Sequence, residues 1–200
     1  MENHSKKIVD SNPVAFKKAK RVYDYCFERS LECQIYTDQA CYILREDKKI
    51  PDISYKDTVF LDHNNIDFLK DQIIIKTIIK STNLNFLMSL EPDVAELCER
   101  DVAISYSSDK YMEINAKGVN KAKAIEKLCN YYKIDKSEVM TIGDNYNDIE
   151  MLAFAGKSVA VQNAHLQVKE TADYITIANH NEGAVGEAIE KFILNKKRSI

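Results

Sequence analysis

Apolar positions recur along this chain in two different patterns. In the first, Phe16, Ala19, Tyr23 and Cys26 fall at helical spacing after the start signal Ser11-Asn12-Pro13, which predicts a helix reaching about Ser30. Glu32 to Thr37 and Ala40 to Leu44 are short β-favouring runs around Asp38-Gln39 and read as a hairpin. A short helix over Asn64 to Lys70 and a strand over Gln72 to Ser81 come next. Phe86, Leu87, Leu90, Val94, Leu97 and Cys98 mark a further helix opened by Asn83 or Asn85, and Pro92 is expected to bend or divide it. Val102 to Ser107 and Tyr111 to Asn115 make a second strand pair across Ser108-Asp109-Lys110. Strand pairs segregated in this way predict an antiparallel sheet with helices on one face, an α+β module ending near Asn115.

After Lys117-Gly118 helices alternate with short apolar strands, the signature of parallel βαβ units. Ala122, Ile125, Cys129 and Tyr132 line one helix face. Val139 to Ile142, Val159 to Val161 and Tyr174 to Ile177 read as buried strands, with a helix over Ile149 to Phe154 between the first two. Gly183 to Leu194 makes a closing helix with Val185, Ile189, Phe192 and Ile193 inward. The chain is therefore expected to consist of a leader (1–10), an α+β domain (11–115) and an α/β domain (116–200).

Composition acts mainly by exclusion. At 200 residues, 45% hydrophobic and 30% charged, the chain has the profile of an ordinary globular protein of one or two small domains. Its 28 Lys and Arg against 31 Asp and Glu leave no single-sign field for nucleic acid or an anionic membrane. The five cysteines, Cys26, Cys33, Cys41, Cys98 and Cys129, include no C-x-x-C pair and no zinc-ligand spacing, which points to reduced thiols and a cytoplasmic protein. No signal-peptide core follows Met1, and the most apolar stretch, Gln72 to Lys80, is interrupted by Lys76, so no membrane span is expected.

Chemistry concentrates in Val139-Met-Thr-Ile-Gly-Asp-Asn-Tyr-Asn-Asp148, where an apolar strand ends in Gly143-Asp144 and a helix begins within a few residues. The carboxyl ends of strands in an open α/β sheet form the crevice in which ligands bind. Asp144 and Asp148, with Asn145 and Asn147 between them, are hard oxygen donors of the kind Mg²⁺ takes when it also keeps waters and a substrate phosphate. The same residue types also serve as plain helix caps. An EF-hand loop fits worse, because Tyr146 occupies its third position and its sixth lacks glycine. Asn163, in Ala160-Val-Gln-Asn-Ala164, ends the next strand and would face the same crevice. Lys121 sits in the first turn of a helix, where the helix dipole disfavours a cation; it is either held there by a phosphate or carboxylate, or is a solvated surface lysine.

Taken together, Ser107-Ser-Asp-Lys-Tyr-Met-Glu-Ile114, Gly118-Val-Asn-Lys121, Gly143-Asp-Asn-Tyr-Asn-Asp148, Ala160-Val-Gln-Asn-Ala164 and, less sharply, Asn181-Glu-Gly-Ala-Val185 resemble the C-terminal portion of the haloacid dehalogenase (HAD) superfamily, specifically the Cof-type phosphatases of subfamily IIB. The resemblance implies an α/β fold: a partial Rossmann-like core in three α/β/α layers over residues 116–200, with an α+β cap over 11–115 that selects substrate. It also implies Mg²⁺-dependent hydrolysis of small phosphorylated metabolites such as sugar phosphates. Carried over residue by residue, Lys121 steadies nucleophile and phosphoryl group, Asp144 is a Mg²⁺ ligand, Asp148 is a supporting acid beside the metal, and Asn147 and Asn163 are substrate-side, site-ordering amides. Two departures stand out: Ala122 replaces the glycine usual after the lysine, and Gln162 the glycine usual before Asn163.

The family's nucleophile lies in an Asp-x-Asp motif, and no aspartate of this sequence is followed two places later by another. An aspartyl-phosphate cannot form without that carboxylate, and the second aspartate's general-acid help is worth roughly a further 10²- to 10⁴-fold. The expectation is a truncated chain, inactive alone, with weak Mg²⁺ binding and an unpaired sheet edge prone to association. A non-catalytic ligand-binding or regulatory remnant, or one half of a split enzyme completed by a separately encoded N-terminal fragment, is the alternative. A receiver-like signalling domain leaves residues 11–115 unexplained.

Overall fold

The computed structural model describes residues 11–44, 58–61 and 66–194; the expected leader 1–10 and the Asn64-Asn65 start of the expected short helix lie outside them. The chain divides into two units, residues 1–119 and 120–200.

In the first unit, helix α1 (Phe16–Glu28) begins later than the Pro13 signal predicts, because the Val14 amide donates to the Ile74 carbonyl (2.8 Å) and holds that residue against the sheet. Strands β1 (Glu32–Thr37) and β2 (Cys41–Leu44) form the expected hairpin, closed by the Thr37 hydroxyl, which accepts the Gln39 and Ala40 amides at 3.2 and 3.1 Å. Strand β3 (Thr58–Phe60), not anticipated, adds parallel to β2; three residues are too few for alternation to register. A 3₁₀ turn (Asp67–Asp71) leads into β4 (Ile74–Lys80), and helix α2 (Leu84–Leu97), β5 (Val102–Ser108) and β6 (Tyr111–Ala116) complete the unit. The sheet order is β3-β2-β1-β4-β6-β5, antiparallel at every pairing except β2 with β3.

Pro92 lies inside α2 without dividing it. Both Pro92 and Met88, whose carbonyl loses its amide partner, are exposed, so water takes the missing bond and the helix continues. Asn83 caps this helix, its side-chain oxygen accepting the Phe86 amide at 3.1 Å.

Alternation along the strands puts Cys33 and Ile35, Thr77 and Ile79, and Met112 and Ile114 on the sheet face covered by α1 and α2. They pack with Ala19, Val22 and Cys26 of α1 and Leu87 and Val94 of α2, all buried; each large apolar side chain contributes about 1.5–3 kcal/mol. Thr77 is the exception on this face, a buried hydroxyl with no hydrogen-bond partner among the described residues.

The second unit opens with α3 (Lys121–Tyr132), capped by Asn120, whose side chain accepts the Lys123 amide at 2.7 Å. Only Cys129 of its expected inner face is buried; Tyr132 is exposed. Strands β7 (Met140–Gly143), β8 (Lys157–Ala160) and β9 (Tyr174–Ile175) run parallel in the order β7-β8-β9, with α4 (Ile149–Phe154) and α5 (Leu166–Thr171) as crossovers. Helix α5 escapes a reading by periodicity because its six residues bury only Val168.

Helix α6 (Ala184–Ile189) starts after Gly183, whose φ of 93° is a left-handed conformation, and runs into a π turn over Glu190–Leu194. Its buried face is Ala184 and Ala188, not the expected Val185, Ile189 and Ile193, which are exposed; small residues let the helix approach the core closely, and a pattern read from large side chains misses that face. Phe192 meets the Tyr174 ring edge-on at 5.3 Å. Leu152, Ala160, Val161, Ala164, Val168 and Ala184 form the unit's core.

Gly156 lies between α4 and β8. Its amide donates to the Lys136 carbonyl (2.8 Å), and a Cβ there would stand 2.4 Å from Ser137 Cα. Among the described residues, no helix is long and apolar enough to cross a membrane.

Candidate functional site

The second unit's sheet is parallel, so β7 and β8 deliver their carboxyl ends to one rim. At the end of β7 the chain turns through Gly143 and Asp144 into a 3₁₀ turn (Tyr146–Asp148) that runs directly into α4. This tight return brings the Asp148 side chain back under the strand end. A Cβ on Gly143 would lie 2.5 Å from Asp148 Cβ, so the turn depends on glycine at that position.

Asp148 is 3% exposed and its carboxylate is fully engaged. One oxygen accepts the backbone amides of Asp144 and Asn145 at 3.0 and 3.2 Å; the other accepts from the Lys121 ammonium. A carboxylate removed from water needs such partners, since an unpaired buried charge is costly. The bond explains the cation in the first turn of α3: Lys121 is held by Asp148 across 27 residues of sequence and keeps about half of its side chain exposed.

Asp144 stands differently. Its backbone is fixed at both polar groups, the amide by Asp148 and the carbonyl by the His165 amide at 3.2 Å, whereas its carboxylate makes no hydrogen bond or ion pair among the described residues. Asn147 carries a buried side-chain oxygen with no hydrogen-bond partner among the described residues. The structure thus brings Lys121, Asp144, Asn147 and Asp148 into one neighbourhood and commits only the Lys121–Asp148 pair.

Asn163 is used otherwise. Its side-chain oxygen accepts the His180 amide at 2.9 Å, and its nitrogen lies 2.5 Å from His180 Nδ1, so the amide clamps the loop before α6 to the turn after β8. Sequence reasoning missed His180 and also the stacking of Tyr146 on His165, with ring centroids 4.4 Å apart and 21° between planes. Both contacts join residues 17 or more positions apart, and no local pattern carries them. Glu187 likewise ties α6 to the end of β9, accepting the Ile177 and Ala178 amides and the Tyr174 hydroxyl; these bonds hold its carboxyl below the usual glutamate range.

Whether this donor set suits a metal turns on the free carboxylate. No group of three or more His, Cys, Asp or Glu that could hold an ion occurs among the described residues. A single free carboxylate such as that of Asp144 is compatible with a hard cation that draws its remaining oxygens from water and a phosphate, a ligand pattern Mg²⁺ accepts.

Residues 2–189 match the family model for haloacid dehalogenase-like hydrolases. The chain is 43% identical over 95 residues to the 5-amino-6-(5-phospho-D-ribitylamino)uracil phosphatase YcsE of Bacillus subtilis, covering 48% of this chain and 38% of that one. It is 35% identical over 134 residues to a phosphoglycolate phosphatase of Methanobrevibacter smithii, covering 67% of this chain and 54% of that one. It thus spans about half the length of these relatives. In fold it is similar to the HAD subclass IIB sugar phosphatase BT4131, with a TM-score of 0.75 at 22% identity over 92% of this chain and 68% of that one. A haloacid dehalogenase-like hydrolase from Bacteroides thetaiotaomicron superposes with a TM-score of 0.72 at 27% identity, over 94% of this chain and 71% of that one. An α/β chain with this strand-end turn, matched to one family model over nearly its whole length, belongs to the haloacid dehalogenase-like hydrolases.

Proposed function

We propose that this chain supplies the phosphoryl- and Mg²⁺-binding side of a phosphomonoester hydrolase acting on small phosphorylated metabolites such as sugar phosphates. The observation that carries the reading is the division of labour between the two aspartates. Asp148 is consumed in fixing Lys121 and the backbone at 144–145, which leaves the Asp144 carboxylate uncommitted at the same strand end. Lys121, half exposed, turns its remaining N–H groups to a phosphoryl oxygen. Asp144 would hold a Mg²⁺ as its carboxylate ligand, with Asn147 ordering the turn beside it; when bound, the ion would neutralise charge on the phosphoryl group. Asn163 acts through the loop it clamps.

These residues bind and orient; none of them is placed as an attacking group. The 200-residue sequence contains no Asp-x-Asp, so the chain alone is proposed to bind phosphate without turning over an ester. Titrating the full chain with inorganic phosphate, with and without Mg²⁺, and following backbone amides by NMR tests the binding claim. Saturable shifts at 143–148, strengthened by Mg²⁺ and weakened about tenfold by Lys121→Met, are expected, the equivalent of one charge-assisted hydrogen bond. Absence of such shifts would refute the site. Hydrolysis of p-nitrophenyl phosphate that disappears in Asp144→Ala would keep the site and overturn the claim of inactivity.

A further inference from the structure

The turn that carries Asp144 is gripped from a second side, by the residue that opens α5. His165 sits at the N-cap of that helix, a position where Ser, Thr, Asp or Asn supplies a side-chain acceptor for the free amides of the first turn. Its ring makes no such cap. It stacks instead on Tyr146, with centroids 4.4 Å apart and 21° between planes, while its own amide donates to the Asp144 carbonyl at 3.2 Å. One residue therefore holds the turn both at 144 and at 146.

His165 is itself well anchored. It follows Ala164, and its carbonyl accepts the Val168 and Lys169 amides, each at 3.1 Å; Ala164 and Val168 both belong to the second unit's core. Moving His165 away from the strand end would therefore disturb the first turn of α5 and the residues that root it.

The effect on Asp144 follows from the planarity of its peptide. The unit joining Asp144 to Asn145 has its carbonyl bound by the His165 amide and its N–H by the Asp148 carboxylate at 3.2 Å. Holding both poles of a planar unit fixes its tilt, and with it ψ of Asp144 and φ of Asn145. The Asp144 amide, bound to the same carboxylate at 3.0 Å, constrains the remaining torsion. Those torsions set the direction in which the Asp144 side chain leaves the backbone. One pole of the plane is secured by the Asp148 carboxylate, which Lys121 pairs; the other is secured from α5, where the contact between side chains is the Tyr146–His165 stack.

We infer that His165 is a positioning residue: through its stack on Tyr146 it keeps the α5 amide on the Asp144 carbonyl and so aims the Asp144 carboxylate. The inference rests on the reading of Asp144 as the ligand of a hard cation, but the fixing of the turn is measurable without metal or phosphate. The stack uses the flat face of the ring, so Phe should replace His165 and a methyl group should not.

The test uses the full chain, ¹⁵N-labelled. Without ligand, backbone order parameters at Asp144 and Asn145 should be about 0.85 in the parent, fall below about 0.6 in His165→Ala and recover in His165→Phe. Titration with inorganic phosphate then separates positioning from general loosening. Without Mg²⁺, where Lys121 carries the binding, affinity should change by less than about twofold in either variant, whereas the gain on adding Mg²⁺ should fall about three- to tenfold in His165→Ala and return in His165→Phe. Tyr146→Leu, on the other side of the stack, should reproduce His165→Ala, and Tyr146→Phe should match the parent, so the result stands if one variant fails to fold. Order parameters unchanged in both His165→Ala and Tyr146→Leu, no recovery with Phe, or an equal loss of phosphate affinity with and without Mg²⁺ overturns the inference. A parent that gains nothing from Mg²⁺ refutes instead the cation reading of Asp144, and the order parameters still decide whether His165 holds the turn.

Discussion

The bond network around Asp148 makes a graded prediction. Replacing Asp148 by Asn keeps the volume but turns one acceptor oxygen into a donor. If the remaining oxygen faces the amides of Asp144 and Asn145, the new NH₂ confronts the Lys121 ammonium; if it faces Lys121, two backbone N–H groups lose their acceptor. With bonds to charged groups worth about 1.5–3 kcal/mol and a stranded buried donor costing about 1–3 kcal/mol, Asp148→Asn should cost the second unit about 2–4 kcal/mol. Lys121→Met should cost about 1 kcal/mol, because Lys121 is half exposed and the carboxylate keeps both amides. Native-state hydrogen exchange at 141–148 separates the cases without requiring the two units to unfold together. Asp148→Asn should accelerate exchange about 30- to 1,000-fold and Lys121→Met about fivefold, at 1.4 kcal/mol per factor of ten. Acceleration below about fivefold in Asp148→Asn, or equal effects of the two variants, would show that the carboxylate does not organise the strand end.

Further outcomes follow from other features. Gly143→Ala, whose new methyl would stand 2.5 Å from Asp148 Cβ, should cost about 1–3 kcal/mol by overpacking and weaken phosphate binding with it; unchanged exchange protection at 144–148 would contradict the close approach. Thr77→Val should stabilise the first unit by about 1 kcal/mol in urea unfolding, because it removes a buried hydroxyl that bonds to nothing described; a loss of stability would mean the hydroxyl has a partner. The hydrogen bonds that Glu187 accepts hold its carboxyl below the usual glutamate range, so its stabilisation is fully present at neutral pH and is lost as pH falls through its lowered pKa. Glu187→Gln should therefore be less stable at neutral pH and lose less on acidification, and an acid limb as steep as the parent's would exclude that role. All five cysteines are buried, and burial pushes the Cys41 and Cys98 thiols up while Cys33 is raised chiefly by its hydrogen bond to Cys26. The native chain should resist a thiol-disulfide reagent until it is unfolded, and one thiol reacting at the rate of a free cysteine would contradict that packing.

Long periodic segments were legible because their burial is periodic: α1 shows Ala19, Val22, Tyr23 and Cys26 inward, and β6 turns Met112, Ile114 and Ala116 inward. What escaped has a physical reason in each case. β3 and α5 are too short to show a period, α6 hides its inner face in two alanines, and Pro92 is harmless only because its side of α2 is wet. At the site, Gly143-Asp144 and Lys121 stood out because their residue types are unusual for their local positions. The pairing of Lys121 with Asp148, and of Asn163 with His180, is a tertiary fact with no local trace.

Gly156 has no ionisable group and binds nothing, yet it has no room for even a methyl above Ser137. A side chain there works as a wedge under the 136–138 turn, which enters β7 through Val139, itself tied to Lys157. The displacement is delivered four residues on, at the strand end that carries Gly143 and Asp144. Random mutagenesis scored for lost phosphate affinity should accordingly single out this codon alongside those for the charged residues, although position 156 carries no side chain.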